Sequence, residues 1–113
     1  MKPNKEDLPP TDGEWLLGVS GWFSMFNGRL HNSLGPAIII YDDSSKQWWV
    51  DGKIHHLDGH AVEHPDGSKE WWVNCKRVSE QDFPSAVISF LLGVEKEFAK
   101  ILEKEMKNDN DTR

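Results

Sequence analysis

The stretch WWVDGKIHHLDGHAVEHPDGSKEWWV, residues 48–73, opens and closes on the same three residues. Self-comparison shows why. A shift of 24 places lays Gly28 on Gly52, His31 on His55, Gly35 on Gly59, Ala37 on Ala61 and Asp42 on Asp66. After one residue of the DDSS run is dropped, a shift of 23 lays Trp48-Trp49-Val50 on Trp71-Trp72-Val73. A period of this size marks stacked supersecondary units, each too small to bury its apolar face alone. The turn pairs Asn27-Gly28, Asp51-Gly52 and Asp66-Gly67 punctuate the copies and predict tight hairpins between short strands.

After Ser79 the turn pairs stop and the apolar spacing becomes helical. Val87, Leu91, Val94, Phe98 and Ile101 recur at steps of four and three. Ser79 with Asp82, and Ser85 after Pro84, supply start signals by offering oxygens to free backbone N–H groups. These patterns predict a single domain over 1–113. An irregular lead-in occupies 1–14, β-hairpin repeats 15–78, a helical region 79–107 and a frayed polar tail 108–113. The fold class expected is α+β, an antiparallel β-hairpin repeat meander capped by one long C-terminal helix. Phe90 and Leu92 widen the helix stripe, which either stays in the intramolecular core or pairs two copies as a homodimer. Gly93 weakens the helix at its middle.

The segments NGRLHNSLGPAIIIYDDSSKQWW, DGKIHHLDGHAVEHPDGSKEWW and NCKRVSEQDF resemble the MORN-like repeat N-G-K-x-H-x-x-D-G-P-A-x-x-x-x-D-G-x-K-x-W-W, over residues 22–83. That repeat is found in tandem in proteins of bacteriophages, bacteria and large viruses. The resemblance implies a β-hairpin array with a binding role and no known chemistry. Leu34 stands where the pattern has Asp, His60 where it has Pro, and Cys75 where it has Gly.

Strand alternation puts Trp48, Val50, Trp71 and Val73 on one face and Trp49 and Trp72 on the other, among Gln47, Asp51, Glu70 and Asn74. The first face is expected to be core and the second a mixed surface. Trp49, Trp72, His56 and His60 are the residues expected to bind a partner. His31 and His55 recur at matching positions, which suits a hydrogen bond to a neighbouring turn backbone. Zinc is not expected. His60 and His64, four strand steps apart, lie roughly 13 Å from each other, and only His56 and His60 with Asp58 approach a ligand set.

A net charge of −6 argues against a phosphate-backbone binder, which needs clustered Lys and Arg, so no nucleic-acid partner is expected. No Gly-rich phosphate loop, HExxH or nucleophile elbow is present, and neither an enzyme nor a cofactor is expected. The single cysteine, Cys75, and the lack of a signal-like or membrane-spanning apolar run point to the cytoplasm. The expected function is non-catalytic binding of a host or cellular protein. Its concrete form is a small phage or mobile-element accessory protein that inhibits a host defence protein. A structural oligomerisation module acting through the helix is the alternative, and an acidic mimic of nucleic acid is a minor one.

Overall fold

The computed structural model describes residues 4–111, with side chains described for 4–105. The chain divides into two compact units, one ending at Arg77 and one beginning at Val78. The first unit is built of short strands. β1 (Glu14–Leu17), β2 (Gly21–Phe26), β4 (Ile38–Ile40), β5 (Lys46–Gln47), β8 (Val62–Glu63), β9 (Lys69–Val73) and β10 (Lys76–Val78) follow one another across a sheet. β3 (Arg29–Leu30) pairs with β2 beside β4, and β6 (Trp49–Val50) and β7 (Lys53–Ile54) form a separate antiparallel ladder.

Register carries the repeat into three dimensions. Phe23 lies opposite Ile38, Ile38 opposite Gln47, Gln47 opposite Val62 and Val62 opposite Glu70, so one row crosses the sheet on a single face. Backbone hydrogen bonds recur with the sequence period. Ala37 N–H donates to Gln47 O at 2.8 Å, and Ala61 N–H to Glu70 O at 2.7 Å. Asn32 N–H donates to Trp49 O at 2.8 Å, and His56 N–H to Trp72 O at 3.1 Å. The hairpin turns also match: Asn27-Gly28, Asp51-Gly52 and Asn74-Cys75 all have positive φ at both residues. That is the geometry of a two-residue hairpin turn whose twist follows the strands.

The buried centre of this unit is not where the tryptophan pairs suggest. Trp15, Trp22 and Tyr41 form it, with Leu8 and Ile39 packed against them. Trp48 and Trp71, expected in the core, are half-buried, as are Trp49 and Trp72. The four tryptophans thus share one burial class, and the contrast between the faces rests on Val73, which is buried, against Asp51 and Asn74, which are exposed. Ala37 and Ala61, which follow Pro36 and His60 in the two loops, are fully buried instead.

The lead-in is less irregular than its composition suggests. After one 3₁₀ turn at Lys5–Asp7, Pro9 O accepts the Trp15 indole N–H, Pro10 to Asp12 are fastened to the first repeat by side-chain hydrogen bonds, and Glu14 already opens β1.

The second unit holds two helices rather than one, α1 (Phe83–Leu92) and α2 (Lys96–Asp111), which pack on each other. Ser79 Oγ accepts the Asp82 N–H, and Pro84 sits in the first turn, where its missing N–H costs nothing. The break falls at Gly93, whose φ of 67° and ψ of 29° are left-handed and whose N–H closes on Ser89 O. Ser89 Oγ–H then takes the Val94 carbonyl at 2.5 Å. Lys96 and Lys100 reach back to Asp82, at 3.5 and 3.9 Å. Ser85 and Ala99 are buried, whereas Leu91, Phe98 and Ile101 of the expected stripe are more than half exposed. α2 continues into the polar tail as far as Asp111, and the last two residues of that tail lie outside the described ones. Among the described residues no helix is long and apolar enough to cross a membrane.

Candidate binding groove

Each repeat sends a loop out of the sheet, HNSLGPA in the first and HHLDGHA in the second. The first histidine of each loop does the structural work expected of it. His31 Nδ1 accepts the Asp51 N–H at 2.9 Å, and His55 Nδ1 accepts the Asn74 N–H at 2.8 Å. Each ring thus holds the first residue of the next hairpin turn. Because Nδ1 accepts, the neutral ring carries its proton on Nε2. For His31 that proton goes to Asp12 Oδ2, 2.9 Å away. Burial, then the nearby His56 and Lys53, push the His55 pKa down.

The second residue of each loop ties the loop to itself. Asn32 is buried and donates through Nδ2 to Pro36 O at 2.9 Å, while its Oδ1 accepts the Leu34 N–H. His56 fills the matching place with Nδ1–H donating to His60 O at 2.7 Å. The His56 ring lies flat on Trp48, with centroids 5.1 Å apart and planes 6° apart. His60, standing where the first copy has Pro36, meets Trp48 edge-on at 5.1 Å and Trp71 edge-on at 6.4 Å. Its Nε2–H donates to Glu63 Oε1 at 3.0 Å.

The four residues expected to bind a partner therefore separate into two groups. His56 and His60 pack with Trp48 and Trp71. Trp49 and Trp72 each turn their indole N–H onto the side chain two residues back, Gln47 Oε1 at 2.9 Å and Glu70 Oε1 at 2.8 Å. Glu70 also receives His64 Nε2–H at 2.6 Å, with Arg77 at 3.9 Å. Hydrogen bonds from His64 and Trp72, outweighing partial burial, hold its carboxyl below the usual range.

Between the two loops lies a groove of ≈ 240 Å³. Asn32 and Ser33 form one wall and His55 to Asp58 the other, with Trp48 and Val50 completing the lining. Sequence reasoning found His56 here but not the groove, because nothing in a linear pattern shows the space left between two loops. Among the described residues, no group accepts the Leu57 N–H in the groove wall.

One constellation bears on chemistry. Asp12, His31 and Ser33 have the composition of a catalytic triad but not its wiring. Ser33 Oγ–H donates to Asp12 Oδ2, not to the imidazole, and His31 Nδ1 is already occupied by the Asp51 N–H. The ring therefore has no lone pair left to take a serine proton. Among the described residues no three His, Cys, Asp or Glu side chains are grouped to hold a metal ion. Cys75 is an exposed thiol in the last hairpin turn. Set against protein-family models, curated proteins and solved structures, the chain has no match in any of the three comparisons.

Proposed function

We propose that the chain is a non-catalytic protein-binding module that works in the cytoplasm. The observation that carries this reading is the groove between the repeat loops, lined by Trp48, Val50 and Leu57 among polar side chains and bearing a backbone N–H that no group among the described residues accepts. Recognition sites commonly combine apolar lining with a few fixed polar groups. The concrete version is an accessory protein of a phage or mobile element that occupies a host defence protein, and it rests on the resemblance of the repeat. The test is capture from a bacterial lysate with tagged chain, in parallel with a Leu57→Arg variant that places charge and bulk at the groove. One protein retained in stoichiometric amount by the wild type and lost from the variant is the expected result. Retention of nothing by either chain would defeat the reading.

The helical unit favours a second reading, assembly of two copies. Leu91, Leu92, Phe98 and Ile101 are 62%, 60%, 52% and 57% exposed, an unusual load of open apolar surface for one small helix pair. Light scattering of a homodimer would give twice the 13.0 kDa chain. Leu92→Glu should then return the monomer with the sheet unit intact.

A further inference from the structure

The groove has an occupied counterpart elsewhere in the same molecule. Subtracting the 24-residue period from Trp48, His55, His56 and Leu57 gives Ser24, His31, Asn32 and Ser33. Every one of those four holds the chain's own lead-in. Ser24 Oγ meets Thr11 Oγ1 at 2.5 Å, and Asn32 Nδ2 donates to Pro10 O at 3.0 Å. His31 Nε2–H donates to the Asp12 carboxylate at 2.9 Å, and Ser33 N–H donates to the same carboxylate at 2.9 Å. Pro10-Thr11-Asp12 thus lies in the first copy of a cradle whose second copy is the groove. The two are continuous, since Asn32 and Ser33 belong both to the lead-in's seat and to the groove wall.

We propose that the groove is a docking site for an extended segment of a partner protein of the type x-x-Asp, its carboxylate bound as that of Asp12 is bound at the Ser33 N–H. The Leu57 N–H, equivalent to the Ser33 N–H that grips Asp12, donates to the segment's carboxylate. The copies differ in ways that tune the site. Trp48 in place of Ser24 offers an indole where Thr11 finds a hydroxyl, so the middle residue of the segment is better apolar. Leu57 in place of Ser33 removes one donor to the carboxylate, and His56, whose Nδ1–H is given to His60 O, has no donor for the carbonyl that Asn32 Nδ2 holds in the first copy. Asp58 in place of Leu34 adds a like charge, which makes this copy the weaker of the two for an acidic segment.

The inference rests on the protein-binding reading for its partner but not for its geometry, so the test begins with a peptide. The probe is a capped peptide of the lead-in, Leu8–Gly13, titrated into ¹⁵N-labelled full-length protein and followed by NMR. Saturable shifts at the Leu57 N–H and the Trp48 indole N–H are expected. The peptide with Asn in place of Asp should bind about tenfold more weakly, the effect of losing charge-assisted hydrogen bonds. Leu57→Ser, which restores the first copy's hydroxyl, should tighten binding about fivefold. No shift at either group at millimolar peptide, or shifts confined to His31 and Ser33, would overturn the proposal. Capture of a cellular partner that excess peptide fails to displace would overturn the groove as docking site while leaving the protein-binding reading intact. Peptide binding with no cellular partner captured would do the reverse.

Discussion

His31→Ala and His55→Ala make a useful pair, because the two rings hold the same turn position in successive repeats and His31 also reaches the Asp12 carboxylate. Removing His55 deletes the neutral hydrogen bond from the Asn74 N–H. Asn74 is exposed, so water takes the freed donor, and that bond's share of the loss should be about 1 kcal/mol. Removing His31 deletes the equivalent bond to Asp51 and also the hydrogen bond to the Asp12 carboxylate. Hydrogen bonds to charged groups contribute about 1.5–3 kcal/mol. Asp12 is partly exposed and keeps Ser33, so the lower part of that range, or somewhat less, applies. The Asp12 bond should therefore add about 1 kcal/mol to the cost of His31→Ala beyond that of the turn bond. All six tryptophans lie between Trp15 and Trp72, within the first unit, so urea unfolding followed by tryptophan fluorescence reports on that unit. A double-mutant cycle with Asp12→Ala should give a coupling of about 1 kcal/mol with His31 and none with His55. No coupling between Asp12 and His31, or a coupling between Asp12 and His55, would refute the reasoning.

Cys75 occupies a left-handed turn position, φ 67°, that glycine fills in the other two hairpins, so Cys75→Gly should raise the urea midpoint. The expected gain is about 0.5–1 kcal/mol, the relief of the left-handed penalty less the added freedom of the unfolded chain. Asp12 is opposed by partial burial, but hydrogen bonds from Ser33 and His31 hold its carboxyl well below the usual range. The stability it contributes is therefore present above the unfolded value of about 3.9 and lost as pH falls below it. The Tm gap between wild type and Asp12→Asn should be level from pH 5 to 8 and close in acid; a gap that persists to low pH would count against this account. Gly93→Ala forces a side chain into a left-handed joint and should cost the helical unit about 1 kcal/mol, read as lost protection of α1 and α2 amides in hydrogen exchange.

The parts of this fold that a linear reading reaches are those fixed by local chemistry. The paired turn residues predict the hairpins because left-handed backbone at two successive positions admits few side chains, and the period predicts that His31 and His55 share a role. The alternation of Trp71 and Trp72 follows from the strand pleat. What stays hidden depends on contacts between distant residues. Asp12 shows no pattern, yet it organises His31 and Ser33, 19 and 21 residues away. The half-burial of Trp48 and Trp71 turns on which rings lie against them, and His56 and His60 take that place through a loop geometry that spacing does not reveal. The helix break at Gly93 competes with a continuous apolar pattern, and the local bonds of Ser89 and Gly93 prevail. As for the groove, only one of its lining residues, His56, was expected to bind a partner, because an empty space has no residue of its own.

The matching of hydrogen bonds from copy to copy has a consequence for how such a chain changes over generations. A further copy inserted at a hairpin turn would meet, at each side, the same donors, acceptors and buried alanines that the existing copies already offer each other. It would lengthen the sheet without asking any neighbour to adapt. Each insertion would also open one more space between adjacent loops, whose lining could diverge while the strands beneath stayed fixed. Whole-copy duplication is thus the least disruptive way to enlarge this architecture, and the loops are where new specificity would arise.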